Sequence, residues 1–199
     1  MNDQQAVNNT HAQKSETCGV TGAGKEDCFL SIIPVQVKAQ KGTKIVTTYA
    51  FLDSGSSATF ATESLINQLN TNGRHTSISL RTMGNESVVN TRIVTGLEIS
   101  SLEGDQFIEL SEVFTQKAIP VTKDNIPCQE DVISWPHLKN VKLPAVEAEV
   151  GLLIGINVPK AMEPLQVVSS VDDGPYAVKT ALGWTVNGPL KGGNDGLRS

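Results

Sequence analysis

Short segments in which apolar residues alternate with polar ones, or form brief apolar runs, recur along most of the chain. Residues 29–37 and 44–52 have this pattern and are rich in Ile, Val and aromatic residues, so both are predicted strands. Turn-forming residues at 40–42 lie between them and predict a hairpin. Further strands are predicted at 76–81, 88–100, 106–114, 118–121, 150–154, 165–168 and 176–186.

One segment has the spacing of a helix instead. The apolar residues of 62–69 fall on one helical face, and Thr62 is placed to cap the first turn. The segment 122–149 contains three prolines and no clear period, which predicts a long irregular connection. Many short strands, frequent turns and one or two short helices together predict an all-β, barrel-like domain.

The two ends of the chain are polar and lack a hydrophobic period. Residues 1–27 are predicted to be disordered, and residues 191–199 are predicted to form a flexible tail. The 199 residues, of which 39% are apolar, then provide one domain with a sizeable core between these ends.

Charge and cysteine usage narrow the possible functions. A net charge of −5 argues against direct nucleic-acid binding, which usually needs a basic face. The chain lacks a run of about 18 apolar residues and a secretion signal, so no membrane contact and a cytoplasmic location are predicted. Three cysteines without metal-site spacing are predicted to be reduced thiols, and no metal or other cofactor is expected.

The triplet Asp53-Ser54-Gly55 is the strongest candidate for chemistry. It follows an apolar strand directly, so burial is expected to raise the pKa of the Asp53 carboxyl. Gly55 permits a tight turn, and Ser54 can hydrogen-bond a neighbouring backbone or a partner loop. This is the arrangement of an acid-base carboxylate on a rigid loop, although Asp-Ser-Gly is also an ordinary turn tripeptide.

Four ordered segments resemble a known family. They are FLDSGSSATFATESL at 51–65, WPHL at 135–138, LLIG at 152–155 and GPYAVKTALGWTVNGPL at 174–190. Together they resemble the peptidase segment of Bel/Pao-type retrotransposon polyproteins, which are retropepsin-like aspartic proteases. The resemblance implies a retropepsin-like closed β-barrel over 28–162 and a family-specific C-terminal β extension over 163–190.

The resemblance also implies a mechanism. Aspartic proteases use two carboxylates that share a proton, one as general base on water and one as a hydrogen-bond donor to the scissile carbonyl. This chain has one Asp-Ser/Thr-Gly triplet, so the second catalytic Asp53 would come from a second copy in a homodimer. Ser54 would link the two loops. The expected activity is endoproteolytic cleavage of the parent polyprotein.

Two further segments receive roles from the same resemblance. Leu153, Ile154 and Gly155 are expected to pack under the catalytic loop. A hairpin tip is expected to close as a flap over an extended peptide substrate, with Gly84 allowing motion. The flap candidates are Met83, Gly84 and Asn85.

Two alternatives stay open. Ile156 and Asn157 stand where many retropepsins have Arg and then Asn or Asp, so an ion pair found in some relatives is missing. This departure favours an inactive peptide-binding or assembly module with the same fold. A serine hydrolase using Ser54 or Ser56 is a further hypothesis, although neither lies in a Gly-x-Ser-x-Gly turn. His137 is expected to have a surface or packing role.

Overall fold

The computed structural model describes residues 28–82, 84–104, 106–121 and 123–189, together with the backbone of 14–17. Strands are the commonest regular element among these residues. The strands are β1 (Lys14–Thr17), β2 (Cys28–Phe29), β3 (Ile32–Ala39), β4 (Ile45–Asp53), β5 (Thr59–Thr62), β6 (Arg74–Thr82), β7 (Asn85–Val94), β8 (Leu97–Ser100), β9 (Ile108–Leu110), β10 (Val113–Gln116), β11 (Val150–Gly155), β12 (Gln166–Val168), β13 (Tyr176–Thr180) and β14 (Gly183–Pro189).

Helices are few and short within the described residues. They are α1 (Glu63–Gln68), α2 (Gln129–Ile133) and α3 (Pro159–Met162), with single 3-10 turns at Lys123–Asn125 and Pro136–Leu138. The predicted helix is present as α1, and the Thr62 hydroxyl accepts a hydrogen bond from the Leu65 N–H at 3.2 Å, as a capping residue does. None of the helices in the described part of the chain is long and apolar enough to cross a membrane.

The strands form two sheets, so the predicted all-β class is confirmed. Ten strands follow the order β1-β6-β7-β10-β5-β11-β4-β3-β8-β9, and four follow the order β12-β13-β14-β2. The predicted closed barrel is not found among the described residues, because the larger sheet ends at β1 on one side and β9 on the other. The two edge strands are not hydrogen-bonded to each other, and that pairing is what closure requires.

β4 is the strand that leads into the candidate site, and its burial explains its composition. It pairs antiparallel with β3 from Ile32 opposite Phe51 to Lys38 opposite Ile45, which is the predicted hairpin. Its last residues are buried on both faces of the sheet: Ala50 lies in one apolar core and Phe51 in another. A strand covered on both sides has a continuous apolar run rather than an alternating one.

Three apolar clusters hold the described residues together. The largest lies on one face of the long sheet and contains residues from α1, α3 and β11. The second, on the other face, includes Phe60 and Phe114, whose ring centroids are 5.9 Å apart. The third packs β13 and β14 against the connection that contains α2.

Four predicted strands differ from the structure. The segment 106–114 is divided at residues 111–112 into β9 and β10, and β10 continues to Gln116. The segment 88–100 is divided into β7 and β8 at Gly96, which has φ +72°. The segment 176–186 is not one strand but the hairpin β13–β14, where Gly183 has φ +125°. Because glycine adopts these positive φ values without a Cβ penalty, each one turns the chain inside an otherwise strand-like sequence. The predicted strand at 118–121 is absent.

The remaining segments fall partly outside the described residues. Of 1–27, only Lys14–Thr17 is described, and it forms β1, which pairs parallel with β6 from Ile78 to Arg81. The rest of that segment and the predicted tail at 191–199 lie outside the described residues. The connection 122–149 is less irregular than predicted, because it contains α2 and the two 3-10 turns.

Candidate active site

Asp53 is the last residue of β4, and the strand beneath its loop comes from much later in the chain. After Asp53 the chain loops through 54–58 and returns as β5. β11 lies between the two, parallel to β4 and antiparallel to β5. In this register Gly155 pairs with Asp53. The loop that carries the carboxylate therefore crosses the end of an inserted strand.

The inserted strand approaches the loop so closely that only glycine fits at its end. A Cβ atom on Gly155 would lie 2.7 Å from the Ser56 carbonyl oxygen and closer still to that of Ala58. The next residue, Ile156, donates its N–H to the same Ser56 oxygen at 2.9 Å. The structure thus places Leu153, Ile154 and Gly155 directly beside the β4 end and the loop.

Thr59, the first residue of β5, is hydrogen-bonded to the end of β11 and to the residues that follow it. It is buried, its hydroxyl donates to the Asn157 Oδ1 at 2.9 Å, and the same oxygen accepts the Gly155 N–H at 3.2 Å. Thr59 was not predicted as a site residue from the sequence, because its role depends on a residue 98 positions away. Only the inserted position of β11 brings the two together.

The Asp53 carboxyl is buried, and only one of its two oxygens has a hydrogen-bond partner among the described residues. Its residue is 8% exposed, its Oδ1 accepts the Gly55 N–H at 2.9 Å, and its backbone carbonyl accepts the Ser56 N–H at 3.1 Å. Its Oδ2 is buried without a hydrogen-bond partner among the described residues. Desolvation raises the pKa of Asp53, against the opposing effect of the Gly55 and Ser56 amides.

This environment suits a carboxyl that exchanges protons. Burial favours the neutral acid, while the Gly55 amide stabilises charge on the other oxygen. The free Oδ2 can donate when protonated or accept when ionised, and its lone pairs are not taken by another group of the described chain. A buried polar atom without a partner is rare and calls for an explanation such as a catalytic role.

The serines of the loop differ in what they can do. Ser54 and Gly55 are exposed beside the carboxyl. Ser56 is fully buried, and its hydroxyl donates to the Ala58 carbonyl at 2.7 Å. Ser56 is therefore committed to holding the loop, which disfavours its use as a nucleophile.

His137 packs where the WPHL segment, 135–138, meets the four-stranded sheet that contains β13 and β14. Its Nε2 lies 2.9 Å from the Pro175 carbonyl oxygen, and its ring stands edge-on to Trp135 with centroids 5.8 Å apart. Gly174 lies against the same Trp135 ring, so close that a side chain there would overlap it. These contacts are with a backbone carbonyl and an aromatic ring, so they indicate that His137 packs the two segments together.

The flap candidates lie at the tip of the β6–β7 hairpin. Gly84 has φ +78°, and a Cβ atom added to it would have no neighbour within 4 Å among the described residues. Asn85 begins β7, and Met83 lies outside the described residues.

Near the tip, Glu86 accepts hydrogen bonds from Ser79 at 2.8 Å and from Arg81 at 3.3 Å. The Ser79 hydroxyl, followed by the Arg81 charge, lowers the pKa of Glu86. Hydrogen bonds from Ser79 and Arg81 to Glu86 thus join the two strands near the tip, while Gly84 has free space around it among the described residues.

Other features bear on cofactors and cavities. No group of three or more potential metal ligands occurs within the described residues. Cys28 and Cys128 are free, and burial, with a hydrogen bond to Asp131, raises the pKa of the Cys128 thiol to about 11. An open cleft of about 840 Å³ lies between β3, the connection 129–144 and the β13–β14 hairpin, and Asp53 does not line it.

Comparison with known proteins adds no assignment. No protein-family model matches the chain, and a search of curated proteins finds no significant relative. The Asp53 loop is therefore the feature of the described structure that bears on function.

Proposed function

We propose that the chain is a retropepsin-like aspartic endopeptidase of retrotransposon origin, which works as a homodimer and cleaves its parent polyprotein. The observation that carries the proposal is the buried Asp53 carboxyl, whose Oδ2 has no hydrogen-bond partner among the described residues. The free thiols of Cys28 and Cys128 fit a cytoplasmic site of action. The all-β architecture is compatible with the retropepsin fold, which we include in the proposal.

In the proposed dimer, the two Asp53 side chains meet across the two-fold axis and share one proton. Two carboxyl groups at such a short distance cannot both ionise, so one is protonated while the other is charged. The ionised partner takes a proton from the attacking water, and the protonated partner donates a hydrogen bond to the scissile carbonyl oxygen. The raised pKa of Asp53 in the single chain supports this division, because burial makes the carboxyl harder to ionise than it would be in water.

The rigid loop supplies the positioning that such chemistry needs. Gly55, Ser56 and Thr59 fix the loop through hydrogen bonds to Asp53, Ala58 and β11. A carboxyl held within a narrow range of positions avoids the entropy cost of being ordered during the reaction. The proposed substrate is an extended peptide, and the β6–β7 hairpin is the proposed flap that covers it.

The test compares wild type, Asp53→Asn and the control Asp124→Asn on a fluorogenic peptide library and on denatured casein. Asp124 is exposed on a 3-10 turn, so its replacement removes the same charge away from the site. Asp53→Asn should lower kcat by about a hundredfold or more, because the general base is lost. Asp124→Asn should cleave as wild type does.

The outcomes separate the protease from the inactive module. Equal cleavage by wild type and Asp53→Asn would rule out the proposed mechanism. If all three chains bind peptides in a fluorescence-anisotropy titration and none cleaves them, the chain is a binding module. Asn at position 53 can still accept the Gly55 N–H, so the loop should keep its form in the variant.

A further inference from the structure

The four-stranded sheet exposes apolar side chains at one of its edges. Four of the nine large apolar side chains that are exposed in the described chain lie within 165–176. They are Leu165, Val167, Val171 and Tyr176, with exposed fractions between 42% and 61%. Single exposed apolar residues are normal, whereas a contiguous group of them marks an interaction surface. The strand register decides which of these residues form a group.

The register of β12 and β13 brings three apolar side chains together. Val167 lies directly opposite Val178, and Tyr176 is two residues from Val178 on the same strand, so all three share one face. Opposite residues on one face have Cβ atoms about 4.5–5.5 Å apart, and diagonal neighbours are about 7–8 Å apart. Val167, Tyr176 and Val178 therefore form a contiguous group, which we call the β12–β13 patch.

The rest of this sheet is covered. On the opposite face, Ala177 and Val186 are fully buried in the third apolar cluster. On the face of the patch, Thr185 of β14 lies opposite Val178 and is 1% exposed. The uncovered area is thus confined to β12 and the start of β13. The solvent-facing side of an antiparallel sheet is ordinarily polar, so apolar side chains there call for an explanation.

The patch lies beside a free sheet edge. β12 is the terminal strand of its sheet and pairs with β13, and no strand of the described chain pairs with its other side. The backbone groups of an edge strand can hydrogen-bond an added extended peptide. Alternate side chains of such a peptide would lie on the same face as the patch. An extended peptide therefore fits both the edge and the patch.

A fixed acidic turn adjoins the patch. Asp172 and Asp173 have positive φ values of 50° and 57°, and the Gly174 N–H donates to the Val171 carbonyl at 2.9 Å. These are the features of a type I′ turn, which here lies in the connection from β12 to β13. Gly174 packs so closely against Trp135 that a side chain would not fit. The two aspartates are therefore held at the end of the strands that carry the patch.

The charge around the patch has one sign. Residues 163–178 contain three acidic residues and no Lys or Arg. The acidic residues, Glu163, Asp172 and Asp173, are exposed, and none of them forms an ion pair within the described part of the chain. A partner with Lys or Arg beside its apolar side chains would match this surface, whereas an acidic partner would be repelled.

We propose that the β12–β13 patch and the Asp172–Asp173 turn bind an extended segment of another protein, in which apolar and polar side chains alternate and one end carries Lys or Arg. The segment pairs with the free side of β12, places its apolar side chains on the patch and brings its cation to the turn. The inference goes beyond the proposed peptidase and does not depend on it, because the patch belongs to the four-stranded sheet and Asp53 to the ten-stranded one.

The experiment measures the binding of two fluorescent peptides to the whole chain by anisotropy. Both peptides alternate Val with Thr; one has Lys at each end, and its twin has Glu there. Wild type should bind the Lys peptide about fivefold or more tightly than the Glu peptide. Replacing both turn residues, Asp172→Asn and Asp173→Asn, should reduce this preference to less than about twofold. Asn tolerates positive φ as Asp does, so the turn should be kept.

Two further variants test the apolar part of the surface. Val167→Ser and Tyr176→Ser should each weaken binding of the Lys peptide by about tenfold, because apolar burial is lost. The control Ile45→Ser removes another exposed β-branched side chain, 51% exposed at the start of β4, and should change binding by less than about twofold. Thermal unfolding followed by circular dichroism checks that each variant is folded.

Chemical modification of the peptide tests the edge pairing. Two versions of the Lys peptide are N-methylated, each on a different set of alternate amides. Because one edge of an extended peptide faces β12, only one of the two sets should be needed for binding. Equal binding by both versions and the unmodified peptide would overturn the pairing with β12.

Other outcomes would overturn the inference as a whole. These are equal binding of the Lys and Glu peptides, or Lys-peptide binding that neither serine substitution weakens. If wild type binds neither peptide and self-associates through the patch in sedimentation, the surface serves a second copy and the inference is wrong. If the Lys preference disappears in Asp53→Asn, the binding belongs to the proposed active site and the inference is again wrong. A retained preference in a chain that cleaves no casein would support the inference and reject the peptidase.

Discussion

At the residue scale, Asp53 combines a satisfied oxygen with an unsatisfied one. The Gly55 amide holds Oδ1 at 2.9 Å, while Oδ2 is buried without a partner among the described residues. Leaving a buried polar atom unpaired costs free energy, and the cost is larger when the group carries a charge. Functional residues often carry a cost of this kind.

This cost predicts a pH-dependent stability difference between wild type and Asp53→Asn. Burial raises the folded-state pKa of Asp53, so stability is full below the unfolded-state pKa and falls as pH rises through the folded-state pKa. Asn has no such titration. The variant should therefore unfold at a higher temperature than wild type at neutral pH.

The measurement is thermal unfolding by circular dichroism between acid and neutral pH, at concentrations low enough to keep the chain monomeric. The difference between the two proteins should shrink as pH falls from neutral toward the ordinary pKa of Asp, about 3.9, and should stay constant below it. A difference that grows toward acid pH would contradict the assigned burial of the carboxyl.

Asp53 could be found from sequence because its signal is local. An apolar run and a turn-forming triplet are adjacent in the chain, so the end of a buried strand could be predicted without knowing the fold. Thr59 could not be found in this way. Its partner Asn157 is 98 residues away, and side-chain periodicity does not show which distant segments meet.

At the scale of elements, the close approach of β11 to the loop predicts a large effect of one methyl group. Gly155→Ala would bring a Cβ atom within 2.7 Å of the Ser56 carbonyl oxygen and nearer to Ala58, so backbone must shift. The free energy of unfolding should fall by about 1–3 kcal/mol. The displaced loop should also reduce peptide cleavage in proportion to the loss of Asp53 positioning.

The matched control is Gly42→Ala in the β3–β4 turn. Its nearest neighbour would lie 3.5 Å from the new Cβ, an ordinary contact distance. Urea unfolding should give a change within about 1 kcal/mol of zero. Equal effects of the two substitutions would mean that the β11 end has more room than the structure indicates.

Elements were predictable where their pattern was uninterrupted. The β3–β4 hairpin and the α1 helix follow from alternation, turn residues and a Thr cap. The breaks within 88–100 and 176–186 did not appear in the hydrophobic pattern, because Gly96 and Gly183 change the chain direction without changing the period. A single glycine inside a strand-like segment is compatible with a bulge, a bend or a turn.

At the scale of the whole molecule, the C-terminal segment 163–189 is joined to the rest of the fold. β14 pairs with β2, and Leu182 lies in the core that contains α1 and β11. The Ser31 hydroxyl donates to the Asn187 Oδ1 at 2.6 Å. The segment is therefore expected to be needed for stability, whatever its role in function.

Removal of 163–199 tests this dependence. The truncation would expose the third apolar cluster and take Leu182 out of the main core. The loss should exceed about 5 kcal/mol, which is comparable to the total stability of a typical domain. Circular dichroism should show a largely unfolded chain. A truncated chain with a full, cooperative unfolding transition would contradict this expectation.

The order of the strands was the part that sequence could not provide. Hydrophobic alternation tells which face of a strand is buried, but not which strand lies beside it. The all-β class could be predicted from many short strands, whereas the insertion of β11 between β4 and β5 could not. The open order from β1 to β9 was missed for the same reason.

That insertion has a consequence for a chain still being synthesised on the ribosome. β11 pairs with both strands that flank the Asp53 loop. These pairings cannot form until residue 155 has been translated. At about 5–20 residues per second, the interval between residues 53 and 155 is about 5–20 seconds. During that time a nascent chain has its carboxylate but not the scaffold that fixes it. The peptidase proposed above would therefore acquire a fixed Asp53 loop only after this interval.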